Sequence, residues 1–326
     1  MHIIRVTGTS RWSAGAAFVV ALAASAGSAT ASDTWTRVFD ARERSSGSGS
    51  PSGTIVYERW HAKRNAIPAL FTVAAAGGSP RPLRDRYFHG LQPAFSPDGR
   101  WVAFARWRDT TDERFDGGYR LVVARSDGTQ ARVIVRNQED WEWHQWPSWS
   151  RDGRLIAYRS SGVTGPRQPL YVVGPRGGTT RLLRRAELSR WAPPGSGHVV
   201  EPERAGSFGI RWFEGRRATP TIFIPEARSH VWSPQRREFA YLVRDRLLVF
   251  DTTSRRSRLI ARTGCRGATA TRPAWSPDGQ WLAYFACPPG NPAPGVTNLL
   301  IAARDGTSRH VLVRAVVGGS APSWRR

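Results

Sequence analysis

Short apolar runs separated by polar turns recur along most of the chain. Four of them share one form, an apolar residue, then Ala, then an aromatic: Val102-Ala103-Phe104, Ile156-Ala157-Tyr158, Phe239-Ala240-Tyr241 and Leu282-Ala283-Tyr284. Each reads as a strand, and each follows a turn that opens on an aromatic residue. The turns are Phe95-Ser96-Pro97-Asp98-Gly99, Trp149-Ser150-Arg151-Asp152-Gly153, Trp232-Ser233-Pro234 and Trp275-Ser276-Pro277-Asp278-Gly279. In Ser-Pro-Asp-Gly the proline pre-sets φ and the glycine accepts the left-handed position that follows. A third strand comes next, as in Arg120 to Gly128, Leu170 to Gly178 and Leu299 to Gly306, and its Asp-Gly or Gly-Gly ending marks a hairpin. A fourth closes the unit, over Ala131 to Val135, Arg181 to Leu183 and His310 to Val313. Four antiparallel strands make one propeller blade.

A weaker copy of the turn sits at Trp191-Ala192-Pro193-Pro194-Gly195, and a last fragment is Pro322-Ser323-Trp324. From Phe95 through Trp149, Trp191, Trp232 and Trp275 to Trp324 the spacings are 54, 42, 41, 43 and 49 residues. A period of this length in a strand pattern predicts blades around a ring. Gly53 to Tyr57 reads as a second strand with no first strand before it, and Ala321 to Trp324 as a first strand with no blade after it. Pairing the two completes an all-β, six-bladed β-propeller over residues 53–326, closed by the C-terminal strand. Closure removes the open sheet edges that invite aggregation. Phe95, Trp149, Trp191, Trp232, Trp275 and Trp324 supply one aromatic per blade, expected to pack between neighbours.

These residues resemble the TolB-like β-propeller repeat, a relative of the WD repeats, whose pattern is an aromatic-Ser-Pro-Asp-Gly turn, an apolar-Ala-aromatic strand and a third strand ending near Asp-Gly. Residues 93–135 and 273–313 match it closely, 147–183 and 231–261 well, and 191–223 weakly. The resemblance implies a periplasmic or secreted platform that binds protein. TolB itself carries an α/β domain before its propeller, whereas a short tether precedes Gly53 here, so a Tol–Pal role does not follow from the resemblance.

The chain before Gly53 has a different composition. Arg5 and Arg11 precede the apolar stretch Ala14 to Ala24, and Ala29-Thr30-Ala31 supplies a small-x-small cleavage pattern. Residues 1–31 therefore read as a signal peptide, too short in its apolar part to span a bilayer. Residues 32–52, rich in Ser and Gly, read as a flexible linker. No later segment is apolar enough to cross a membrane, and the expected protein is exported and monomeric. An even pair of cysteines, Cys265 and Cys287, in an exported chain favours a disulfide over two buried thiols.

The net charge of +23 falls to +21 without Arg5 and Arg11, and Lys63 is the only lysine. Such a charge attracts polyanions, anionic glycans among them. The arginines are dispersed, which favours a compositional bias on solvated loops, and export makes nucleic acid an unnatural partner.

Strand parity separates two faces. Turns between strands one and two and between three and four are short and lie together. The other face receives the long segments Trp107 to Gly118, Gln138 to Trp146, Ser160 to Gln168 and Pro288 to Thr297. Long loops on a rigid scaffold carry function, so this face is expected to bind a protein or another cell-envelope macromolecule. Its most unusual stretch places Glu139, Trp141, Trp143, His144 and Trp146 within eight residues. It reads as an aromatic platform at the channel mouth or as a packing insert between blades. His89, His144 and His230 stand at differing offsets from the turn aromatics, so no metal site is assigned and no cofactor is expected. The chain lacks a Gly-x-Ser-x-Gly elbow, a P-loop and a dinucleotide fingerprint. The expectation is a protein-binding scaffold without catalytic residues, with a channel-mouth enzyme, lyase or glycan hydrolase, and a polyanion- or glycan-binding module as the alternatives.

Overall fold

The computed structural model describes residues 49–60, 68–84, 89–107, 118–136, 142–161, 170–183, 188, 191–194, 196–200, 209–214, 219–265, 272–290, 295–319 and 321–326. The chain divides at Glu43 into two compact units. The first unit, with the expected signal peptide and most of the expected linker, lies outside the described residues, and Arg44–Arg326 carries the fold.

Strands follow one another in the four-beat order that the sequence predicts. They are β1 (Thr54–Trp60), β2 (Pro68–Ala74) and β3 (Arg81–Pro82); then β4 (Leu91–Phe95), β5 (Trp101–Trp107), β6 (Tyr119–Arg125) and β7 (Arg132–Val135). Next come β8 (Trp143–Trp149), β9 (Ile156–Ser161), β10 (Leu170–Val173) and β11 (Arg181–Leu182), followed by β12 (His198–Val200), β13 (Gly209–Phe213) and β14 (Ile222–Pro225). The last are β15 (Ala227–Trp232), β16 (Glu238–Val243), β17 (Arg246–Asp251) and β18 (Arg256–Arg262), then β19 (Ala274–Trp275), β20 (Trp281–Ala286), β21 (Val296–Ala303), β22 (Arg309–Val317) and β23 (Ser323–Arg325). Consecutive strands within each group pair antiparallel, and a single parallel bridge, Tyr119 to Trp143, joins the β4–β7 and β8–β11 groups.

The two ends of the fold meet. β23 lies antiparallel on β1, with Trp324 opposite Ile55, so the sheet order is β23-β1-β2-β3. The chain's last strand is the first strand of its first sheet, as the orphan strands at the two ends predict. The fold is an all-β propeller.

Both surfaces of each sheet are covered, which explains why the strands read as nearly continuous apolar runs. Ile55 and Tyr57 point to one neighbour, into a cluster with Ala283, Phe285, Leu299 and Trp324. Val56, between them, points to the other, against Phe95, Val102 and Phe104. Adjacent strand residues face opposite ways, so each strand serves two inter-sheet cores. The same arrangement recurs between Ala103, Leu121 and Trp149 with Ile156 and Tyr158, and between Ala240 and Leu242 with Trp275, Leu282 and Tyr284.

The turn aromatics sit in these seams. Trp149 donates its indole N–H to the carbonyl of Ala94 (2.9 Å), Trp191 to that of Ser148 (3.1 Å) and Trp275 to that of Val231 (3.0 Å). Each acceptor immediately precedes the turn aromatic of the previous group, so one hydrogen bond repeats from sheet to sheet. The Phe95 side chain has no N–H to offer. There the backbone N–H of Phe95 donates to Ser323 Oγ (2.9 Å), on the closing strand, and Trp324 donates to the carbonyl of Ser52 (2.9 Å). Trp232 packs edge-on to Phe239, with ring centroids 5.2 Å apart.

The turns behind the aromatics are built alike. Ser96, Ser150 and Ser276 each donate an O–H to the Asp two residues on (2.5 to 2.6 Å) and accept the N–H of the residue five on (2.9 to 3.0 Å). Gly99, Gly153 and Gly279 close these turns at φ of 70, 67 and 66°, where other residues are strained. The β15–β16 turn lacks the Asp, and its fifth residue is Glu238 instead of Trp101, Leu155 or Trp281. Arg258 and Arg304 both bond the Glu238 carboxylate, Arg304 from the next sheet. Burial alone would raise this carboxyl, but those two guanidinium groups outweigh it and hold it below the ordinary carboxylate value.

Cys265 and Cys287 are joined, with Cα atoms 5.0 Å apart. Cys265 follows β18 and Cys287 follows β20, and the Cys287 N–H donates to the carbonyl of Thr263 (2.8 Å). The bond ties the last strand of one sheet to the second strand of the next.

Two stability outcomes follow. Trp324→Ala removes a buried indole from the seam that closes the ring, and chemical denaturation is expected to show a loss of about 3–5 kcal/mol. The pair Cys265→Ser and Cys287→Ser opens a 22-residue loop, with an expected loss of about 3 kcal/mol, read as a lower urea midpoint that added reductant does not lower further.

Candidate functional site

The first strands of the groups converge on one another, and a shared irregularity aims them. Three residues before Phe95, Trp149 and Trp232 stand Gln92, Trp146 and Ser229, with φ of 53, 57 and 58°. At each the ladder to the second strand slips register: Leu91 to Ala94, Gln145 to Ser148 and Arg228 to Val231. These are β-bulges, which turn a side chain out of the regular pleat. A tryptophan at positive φ is costly and persists only where its surroundings hold it.

Trp146 is held from two directions. Its backbone N–H donates to Gln92 Oε1 (2.9 Å), and the backbone N–H of Gln92 donates to Glu58 Oε2 (2.6 Å). Over its ring, 4.6 Å from the centroid, lies the guanidinium of Arg272. Arg272 stands three residues before Trp275, the place that Trp146 holds before Trp149. The stacked pair therefore comes from corresponding repeat positions in two groups that are not consecutive along the chain.

A second aromatic group stands where β6 meets β8. Tyr119 is buried, and Trp107 and Trp143 both approach it edge-on, with centroids 4.9 and 5.6 Å away and interplanar angles of 81° in each case. Trp60 and Trp107 pack against the buried Leu91, Ala105 and Tyr119. Trp60 and Trp107 are repeat partners, ending β1 and β5 in the shared dipeptide Arg-Trp. Trp143 is 40 % exposed. Burial pushes the Tyr119 phenol up to about 12, with the Glu58 carboxylate adding to the shift, so the phenol stays neutral.

No family model matches the chain, and no curated protein sequence matches it. Among solved structures it is similar to TolB from Acinetobacter baumannii, with a TM-score of 0.63 at 18 % identity over 85 % of this chain and 67 % of that one. The fold is a TolB-like β-propeller. It is also similar to the periplasmic gluconolactonase PpgL of Pseudomonas aeruginosa, with a TM-score of 0.50 at 16 % identity over 84 % of this chain and 99 % of that one. At these identities the likeness is one of scaffold, and function rests on the residues of the site.

In this TolB-like propeller the Trp-rich stretch divides. Glu139 and Trp141 lie outside the described residues. Trp143 stands at the surface, Trp146 stacks under Arg272, and His144 points inward, 4 % exposed and edge-on to Tyr158 with centroids 5.5 Å apart. His144 Nε2–H donates to the carbonyl of Arg136 (3.3 Å) and lies 3.7 Å from Glu142 Oε2. Nδ1 is buried with no hydrogen-bond partner. Among the described residues no three His, Cys, Asp or Glu side chains gather as a metal-binding group, and no helix is long and apolar enough to cross a membrane.

Sequence reading missed Glu58, Gln92 and Arg272. The signal was present in the repeat itself: aligning the units on their turn aromatics sets Gln92, Trp146, Ser229 and Arg272 in one column. It missed the paired Arg-Trp endings at Trp60 and Trp107 for the same reason.

Burial lowers the His144 imidazole below its ordinary value of 6.5, against the opposing pull of the Arg136 carbonyl and Glu142. In that range the unfolded chain takes up a proton that the folded ring refuses, so stability falls as pH drops below 6.5 toward the lowered folded value. Urea midpoints across this range are expected to decline less steeply in His144→Gln than in the parent.

Proposed function

We propose that this chain is an exported, monomeric, six-bladed propeller that binds a protein of the periplasm or cell envelope through its long-loop face and carries out no chemistry. The count of six takes β8–β11 and β4–β7 as separate blades. One observation carries the binding reading: Trp143 keeps a large apolar ring in water while Tyr119 holds it in a fixed pose. Fixed, exposed aromatics of this kind are typical anchors of protein interfaces. The likeness to TolB supports a periplasmic setting, and the apolar and small-x-small pattern of residues 1–31 supports export.

A second reading draws on the PpgL likeness and on the linked polar and aromatic side chains Glu58, Gln92, Trp146 and Arg272. Photo-crosslinking separates the two. A crosslinking residue at Trp143 is expected to capture one envelope protein reproducibly, while the same residue at Arg154, in a turn of the opposite face, captures none. Equal capture at both positions, or turnover in a glycan and lactone screen that Arg272→Gln abolishes, would replace the binding reading with the enzymatic one.

A further inference from the structure

We propose that the short-turn face, on the other side of the fold from Trp143, rests on an anionic lipid surface, its exposed arginines meeting the lipid phosphates. The inference goes beyond the binding reading above and stands or falls apart from it.

The repeat places the arginines. Arg100, Arg154 and Arg237 each stand four residues after a turn serine, Ser96, Ser150 and Ser233, and all three are exposed. The Arg100 carbonyl accepts the N–H of Ser126, and the Arg237 carbonyl that of Thr252, each from the next hairpin of the same sheet. Gln280, at the same repeat position, is pinned alike by the N–H of Arg304. The main chain that carries these side chains is thus fixed. Equivalent positions of blades around one axis lie in a common plane, so three guanidinium groups from three repeat units are presented from one level. The exposed Arg176, Arg236 and Arg256 stand in or beside the same turns. An array spread over several units suits a surface, whereas a linear polyanion is followed along a line. Arginine's planar fork also matches phosphate oxygens in pairs. Among the described residues the exposed large apolar side chains are Trp143, Leu182, Phe223, Leu259 and Val311, all in strands and none in these turns. The face therefore meets headgroups and inserts nothing between the acyl chains.

The carboxylates of this face are turned back into it. Asp98, Asp152 and Asp278 accept a serine O–H and a backbone N–H of their own turns. Asp127, Asp251 and Asp305 likewise accept backbone N–H groups of theirs. Glu214 is bonded to Arg255, and Glu238 is buried against Arg258 and Arg304. Among the described residues no carboxylate bonds the guanidinium of Arg100, Arg154 or Arg237. The connections of this face that lie outside the described residues, Gly195 and 215–218, bring Arg216 and Arg217 and no carboxylate. Residues 32–48, which lead to the first turn, are neutral overall, with three arginines and three carboxylates. Counting the chain beyond the described residues therefore leaves the face basic.

The test sediments the full chain with vesicles at physiological salt, either phosphatidylglycerol mixed with phosphatidylcholine or phosphatidylcholine alone. Binding is expected to the anionic vesicles only. A cation held near an anionic leaflet strengthens binding about fivefold, so the triple variant Arg100→Gln, Arg154→Gln, Arg237→Gln should weaken it by on the order of a hundredfold, with an unchanged melting temperature. A second triple variant, Arg136→Gln, Arg246→Gln, Arg314→Gln, removes the same charge from exposed positions nearer the long loops and should leave binding within about twofold. Soluble polyphosphate, matched to the vesicles in phosphate, should displace only a minor part of the bound chain. Equal loss in the two triple variants would show attraction to net charge alone and overturn the proposal, as would binding that does not distinguish the two kinds of vesicle or a failure to sediment with either. Full displacement by polyphosphate would overturn it in favour of a linear polyanion.

Discussion

The ring depends on a wedge: an aromatic side chain at the end of each inner strand, driven into the seam with the sheet before it. Burying a tryptophan there gains a large apolar contact, but its N–H must also find an acceptor. The carbonyls of Ala94, Ser148 and Val231 provide one, and each lies beside the previous wedge. Hydrophobic contact alone would let neighbouring sheets slide. The directional hydrogen bond fixes how far one sheet is displaced along the next, and repetition carries that register around the fold. The break at Phe95 coincides with the place where the two ends of the fold meet, and there Ser323 on the closing strand accepts the backbone N–H of Phe95 in place of an indole bond.

The wedge also separates the two faces. On the turn side, backbone and side chain are committed to the Ser and Asp bonds that hold each aromatic in place. Where the pattern fails, at Glu238, an ion pair with Arg304 of the next sheet takes over the same seam. That side is occupied in holding sheets together. The opposite side is tied by the Cys265–Cys287 bond and by the inner-strand bulges, and between those points its connections are free to differ in length. A scaffold of this kind lets one face vary without loosening the other.

The fold was largely readable from the chain because each sheet has two buried surfaces. Its strands are short apolar blocks, the turn between the first two strands repeats in kind, and the closing pair β1 and β23 is announced by two incomplete units. The group around Trp191 reads weakly for a physical reason: its second strand, His198–Val200, is three residues long and lacks the Ala-aromatic pair. The site was less readable. Three tryptophans close together drew attention to residues 141–146, and the platform reading sets His144 at the surface beside them. In fact the alternation sends His144 inside while Trp143 stays out, and the bulge then re-aims Trp146. Arg272 lies over a hundred residues away in the chain, and only the register of the repeat brings it to Trp146.

That register makes the inner strands more than supports. A regular pleat would set the residue three before each wedge along the sheet. The slip at Gln92, Trp146 and Ser229 puts it elsewhere, at the cost of a left-handed backbone for residues with no intrinsic preference for it. For Trp146 the Gln92 amide and the Arg272 stack offset this cost, and Gln92 is itself held by Glu58. Four residues far apart in the chain, Glu58, Gln92, Trp146 and Arg272, are thus interdependent, whereas the wedges act pairwise between neighbours. The bulges that depart from the ideal repeat are thus fixed from several directions at once. Under the binding reading proposed above, rigidity of that kind would lower the entropy lost on contact with a partner.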